Sequence, residues 1–188
     1  MENINDSDLK KIVDEVVTGI MREMPSRLTL EPTTNPVSAP AGQKVVALGA
    51  DHGGFLMKEN FKVFLEDKGF KVIDCGTNST DSVDYPDFAR AVAEQVASGS
   101  AWRGVMIDGA GIGSCMAANK VRGVRAAMCY DYATAYNSRE HNDANLLTLG
   151  AGLIGPNLAK QILTTFLETE FGGDRHARRV DKIMEIEK

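Results

Sequence analysis

No apolar stretch of this chain approaches the ~18 residues that a membrane-spanning helix needs, and its first residues lack the apolar core of a signal peptide. A basic excess is missing too. Lys and Arg number 21 against 26 Asp and Glu, a net charge of -5, so the cationic surface that nucleic acid or an anionic membrane demands is not there. Cysteine is scarce: Cys75, Cys115 and Cys129 are odd in number and lack metal-ligand spacing, so free thiols in a reducing compartment are expected. The expectation is a cytoplasmic protein that binds neither nucleic acid nor membrane. What is present suffices for a buried core, because 43% of the 188 residues are hydrophobic and 25% charged, enough for one domain plus an appendage.

The appendage is residues 1–43. Leu9, Ile12, Val13, Val16, Val17, Ile20, Met21 and Met24 recur at the spacing of one helical face, with Asp6, Ser7 or Asp8 as caps and Lys10, Lys11, Asp14, Glu15, Arg22 and Glu23 opposite. That predicts an amphipathic helix within residues 1–24. Residues 25–43 hold Pro25, Pro32, Thr33, Thr34, Asn35, Pro36, Ser38, Pro40 and Gly42, which is flexible-linker composition. Periodicity alone favours packing of the stripe on its own domain or on a sister subunit. The mixed charges argue against a basic membrane-surface helix.

Residues 44–188 form the domain. Strand candidates at Val45–Leu48, Phe70–Asp74, Gly104–Ile107, Arg125–Cys129 and Leu146–Leu149 alternate with helical patterns near Phe55–Lys68, Tyr85–Ser98, Ser114–Asn119, Tyr132–Arg139 and Pro156–Glu168, with a last helix near Arg175–Glu187. This alternation predicts a doubly wound, Rossmann-like parallel sheet of five strands with helices on both faces and ligands at the carboxyl ends of the strands.

The stretch V-M-I-D-G-A-G-I-G-S-C-M-A-A-N-K, Val105 to Lys120, reads as strand, glycine-rich turn and helix start. Such a turn lets backbone N–H groups close on a phosphate, a carboxylate or a developing oxyanion, with Asp108 at its mouth. A dinucleotide fingerprint fits poorly, because Ser114 stands where the third glycine belongs. An ordinary ligand-free turn fits the stretch alone about as well. Asp51 and His52 follow the first strand, S-R-E-H-N-D places His141 and Asn142 before the last, and Arg175 and Arg179 lie four apart on one helical face. Taken singly, a cap, a helix end and a solvated face explain them.

In order and together they match a family. G-A-D-H-G-G-F-x-x-K from Gly49, D-Y-P from Asp84, D-G-A-G-I-G with A-A-N-K from Asp108, G-V-R-A from Gly123, S-R-E-H-N-D-A-N from Ser138 and R-H-x-x-R from Arg175 resemble the type B ribose-5-phosphate isomerases and galactose-6-phosphate isomerase subunits. The resemblance implies aldose–ketose isomerisation of a phosphorylated sugar through an enediolate, ribose 5-phosphate to ribulose 5-phosphate first, with no metal and no cofactor. Carried across, Asp108 is the proton-transfer base, His141 opens the ring and Asp51 assists. Gly109, Gly111, Ile112 and Gly113 hold the enediolate, Tyr85 and Asn142 contact substrate, and His52, Arg175 and Arg179 hold phosphate. The resemblance also implies a homodimer or homotetramer with a shared active site.

Three positions depart from the family pattern: Asp108 stands for a usual cysteine, Ala110 for a threonine and Gly152 for an arginine. An ordinary Asp, with a pKa of about 3.9 against about 8.5 for Cys, is almost wholly basic in form at neutral pH. Some members use a glutamate where Ser114 lies, and Cys115 is a substitute base that reads better as a small apolar group. The alternative is a galactose-6-phosphate isomerase-like or non-catalytic binding subunit that needs a partner. Residues 1–24 with their linker resemble the encapsulation peptides of bacterial microcompartment enzymes, which implies a shell or cargo protein as partner and the compartment lumen as location.

Overall fold

In the computed structural model the described residues are 44–187, together with Lys11 and Glu15. The expected helix in residues 1–24 and the linker 25–43 lie outside them, apart from Lys11 and Glu15, both helical and exposed on the face read as polar. The chain divides into two units, Met1–Ala39 and Pro40–Lys188, and the second holds the sheet and the candidate site.

The elements of the second unit alternate throughout: β1 (Val45–Ala50), α1 (Phe55–Asp67), β2 (Lys71–Asp74), α2 (Tyr85–Ala97), β3 (Arg103–Asp108), α3 (Ile112–Ala118), β4 (Ala126–Met128), α4 (Tyr132–Glu140), β5 (Leu146–Gly150), α5 (Pro156–Glu168) and α6 (Asp174–Glu185). The strands form one parallel sheet in the order β2-β1-β3-β5-β4. Side chains alternate across it and so divide the core in two. Val46, Leu48, Val105, Ile107, Leu147 and Leu149 meet Phe61 and Leu65 of α1 and Ile162, Leu163 and Phe166 of α5. Ala47, Met106 and Leu146 meet Ala89, Val92, Ala93 and Val96 of α2 on the other face. Each large apolar side chain so buried contributes about 1.5–3 kcal/mol.

Two boundaries differ from expectation in ways that bear on the site, while the others match or shift by one or two residues. The helix expected from Ser114 begins at Ile112, because Gly111 at φ +79° turns the chain into it two residues sooner. The strand expected over Arg125–Cys129 narrows to Ala126–Met128, since the Arg125 N–H donates to the Asn145 side chain (2.7 Å).

Candidate active site

The loops after β1, β3 and β5 meet at the carboxyl edge of the sheet. The Asp51 N–H donates to the Ile107 carbonyl (3.0 Å), the Ala151 N–H to that of Asp108 (2.8 Å) and the Gly152 N–H to that of Gly109 (3.0 Å), which ties all three loops to the end of β3. Gly54 permits the closest approach, since a Cβ there would lie 2.3 Å from the Ile107 carbonyl oxygen. The direction of winding reverses between β1 and β3, so the cluster sits at the topological switch point, where open α/β sheets take their ligands.

Asp108 ends β3 and is 4% exposed. Its Oδ1 accepts the N–H groups of Ala110 (2.8 Å) and Gly111, and its Oδ2 accepts the Ser114 N–H (3.1 Å) and hydroxyl (2.5 Å). The Gly111 N–H, expected to face an enediolate, is thus bound to Asp108, because a backbone curling around a strand end closes on the nearest anion. The N–H groups of Gly109, Ile112 and Gly113 donate to no acceptor among the described residues. The Tyr85 ring covers this part of the turn, so near that a Cβ on Gly113 would be 2.5 Å from its Cζ.

Asp51, also buried, accepts the Gly54 N–H (3.0 Å) and so braces the turn into α1. His52 is exposed, and its Nδ1 accepts the Val83 N–H (3.3 Å), which leaves the proton of a neutral ring on Nε2. These groups share one edge. His141, Asn142, Arg175 and Arg179 do not lie on it.

They gather at the amino edge instead. His141 caps the end of α4, just before β5, where the Ala144 N–H bonds Ser138 and the Gly104 N–H bonds Asn145 at the start of β3. Its ring stacks on His176 of α6 at 4.2 Å and 8°, its Nδ1 lies 2.7 Å from the Asn137 amide nitrogen, and its Nε2 lies 3.2 Å from the Glu140 carboxylate. Partial burial, then the nearby His141, Arg175 and Arg179, lower the His176 pKa from its ordinary value. Asn142 donates to the Asn137 carbonyl (3.3 Å), and Arg175 Nε lies 3.3 Å from His176 Nε2. The five residues of β5, rising about 3.3 Å each, put on the order of 15 Å between the two clusters of one chain.

Cys115 is half-buried, its Sγ 3.4 Å from the Ala126 carbonyl, and burial raises its pKa, which keeps it a thiol. Among the described residues no group of three or more His, Cys, Asp or Glu is placed to hold a metal ion. Sequence reasoning missed the Ser114–Asp108 contact and the His141–His176 stack. The second carried a signal, because His176 sits inside the same R-H-x-x-R stretch as the two arginines. The first carried none.

A doubly wound sheet with a polar cluster at its switch point defines an α/β protein with a small-ligand site at the carboxyl edge. The Ribose/Galactose Isomerase family model matches residues 46–183, and the chain belongs to that family. By membership it is an enzyme of the isomerase class. It is similar to the solved structure of ribose-5-phosphate isomerase B from Clostridium thermocellum, at 52% identity and a TM-score of 0.75, over 76% of this chain and 97% of that one. Ribose-5-phosphate isomerase B of Escherichia coli (strain K12) is 42% identical over 144 residues, 77% of this chain and 97% of its own length. D-erythrulose-4-phosphate isomerase of Pectobacterium atrosepticum is 40% identical over 139 residues, 73% of this chain and 91% of its own.

Proposed function

We propose that the protein interconverts an aldose phosphate and its ketose, ribose 5-phosphate and ribulose 5-phosphate first, at a site that two copies complete. The observation that carries this reading is the split of the candidate residues between opposite edges of the sheet. A two-fold pairing that sets the carboxyl edge of one copy against the amino edge of the other makes two identical sites. Neither edge of a single copy has both a proton carrier beside free N–H groups and a ring-opening histidine beside arginines.

In such a site His141 moves the proton that opens the ring, with Asp51 at a sugar oxygen and Asn142 on a hydroxyl. Asp108 takes the proton from C2 and returns it to C1; the C–H electron pair becomes the C1–C2 double bond while the carbonyl electrons shift to O1, where the N–H groups of Gly109, Ile112 and Gly113 receive the charge, and the O2 proton passes to O1 before C1 is protonated. His52, Arg175 and Arg179 hold the phosphate, with Tyr85 along the chain of the sugar. The experiment is a screen of aldose phosphates of four to six carbons for ketose formation by the purified chain. Conversion of ribose 5-phosphate is expected; no ketose from any of them overturns the reading.

A second reading, a binding subunit without turnover of its own, has one observation in its favour. All four lone pairs of Asp108 are engaged. Tight binding of a reduced sugar phosphate without turnover would support it. Location belongs with this proposal: residues 1–24 address the enzyme to a bacterial microcompartment through a shell or cargo protein. The amphipathic periodicity and the proline-rich linker support that assignment.

A further inference from the structure

A carboxylate offers about four lone-pair directions, and a general base needs one of them free at the moment it meets the proton. In Asp108 none is free. Ala110 and Gly111 occupy Oδ1, and the Ser114 N–H and hydroxyl occupy Oδ2. Three of these donors are backbone N–H groups and cannot leave without unmaking the turn, which is fixed from outside: the Gly111 carbonyl accepts the Thr148 hydroxyl (2.9 Å) and the Cys115 N–H (3.3 Å). The fourth turns about a single bond.

The Ser114 hydroxyl is the one donor of the four that can turn away, because it belongs to a side chain on the first turn of α3 and bonds no other partner among the described residues. Ser114 is fully buried, so no solvent competes for its proton. We infer that Ser114 is a latch on the base: its hydroxyl engages Asp108 Oδ2 while the site rests and turns off it when the carboxylate takes a substrate proton. In that step the C2–H bond breaks, an O–H bond forms on Oδ2, and the C–H electron pair moves into the enediolate. Ser114 keeps its own proton throughout. Its part is to stabilise the resting carboxylate, which opposes the reaction.

This inference rests on Asp108 as the base, and it makes a prediction in an unusual direction. Ser114→Ala frees one lone pair of Oδ2 permanently, the backbone N–H staying on the other, so kcat should rise by roughly three- to tenfold, the part of one charge-assisted hydrogen bond that reaches the transition state, with KM little changed. Exchange of the C2 proton into D2O should rise with it. Ser114→Thr keeps a hydroxyl and should turn over like the parent; Ser114→Cys, a weaker donor, should fall between. A merely structural serine would give slower or unchanged turnover in Ser114→Ala and Ser114→Cys, and either result overturns the latch. The double variant Asp108→Asn with Ser114→Ala separates the two readings. If it turns over as Ser114→Ala does, Asp108 is not the base; if it is inactive while Ser114→Ala matches the parent, only the latch is lost.

Discussion

At the scale of the residue, the proposed base Asp108 also holds its own turn together, and one substitution would remove both parts. An asparagine there keeps a single oxygen, so if that oxygen faces Ala110 and Gly111 the new NH2 points at the Ser114 N–H, donor against donor. Asp108→Asn is therefore expected to cost about 1–3 kcal/mol of stability for the buried donor left unpaired, besides a fall in turnover of roughly 10²–10⁴ for a lost general base. Thermal unfolding beside turnover checks it. A variant that melts with the parent would show that the turn does not depend on the carboxylate. The place of Asp108 was legible, since a carboxylate between an apolar run and Gly109, Gly111 and Gly113 reads as a strand end at the mouth of a turn. Its bonding was not. Whether N–H groups face outward to a ligand or inward to Asp108 depends on the φ of Gly111 and the entry of α3, which one-dimensional spacing does not hold.

At the scale of the element, the strands and helices were legible because period two and period 3.6 are written directly in the residue order. One residue breaks that pattern with consequence. Lys58 falls on the inward face of α1 with Phe61 and Leu65, is fully buried, and bonds both oxygens of Asp74 at the end of β2 (2.7 and 2.8 Å). Asp74 in turn accepts the Gly76 N–H (3.0 Å) and Lys62 (3.1 Å), so the pair pins the loop after β2 beside the carboxyl edge, where Gly76 and Thr77 bond Ala50. Burial by itself raises the Asp74 pKa, but the bonds from Lys58, Gly76 and Lys62 outweigh it and hold the carboxyl below 3.8. The folded chain thus binds fewer protons here than the unfolded one, so this stabilisation is full above the unfolded value and is lost as pH falls through the folded one. Asp74→Asn, which leaves the buried Lys58 ammonium only the half-exposed Glu59 carboxylate at 2.8 Å, is expected to cost about 2 kcal/mol at neutral pH. The gap from the parent should narrow below pH 3.8. Urea titrations at a series of pH values check it, and a gap that stays constant into acid would remove the carboxylate from the account.

At the scale of the whole molecule, residues 1–43 and the two-edged site raise separate questions. Fusing residues 1–43 to a fluorescent protein, with and without Ile12→Glu and Val16→Glu, tests the address. Punctate signal from the first fusion alone is expected in a cell that makes the cognate shells, and diffuse signal from both would return the helix to a packing role. The shared site has a sharper test in mixing. Asp108→Asn disables the carboxyl edge and His141→Ala the amino edge, so each variant alone builds only broken sites. A mixed dimer carries one site with both lesions and one with neither, since each intact site takes one edge from each chain. Random reassociation at equal amounts makes half the dimers mixed, so about a quarter of the parental activity should return. The measurement is turnover after co-refolding, against each variant refolded alone. Activity no greater than the sum of the separate variants would mean that a chain completes its own site, and the separation between His141 and Asp108 would then have to close within one subunit.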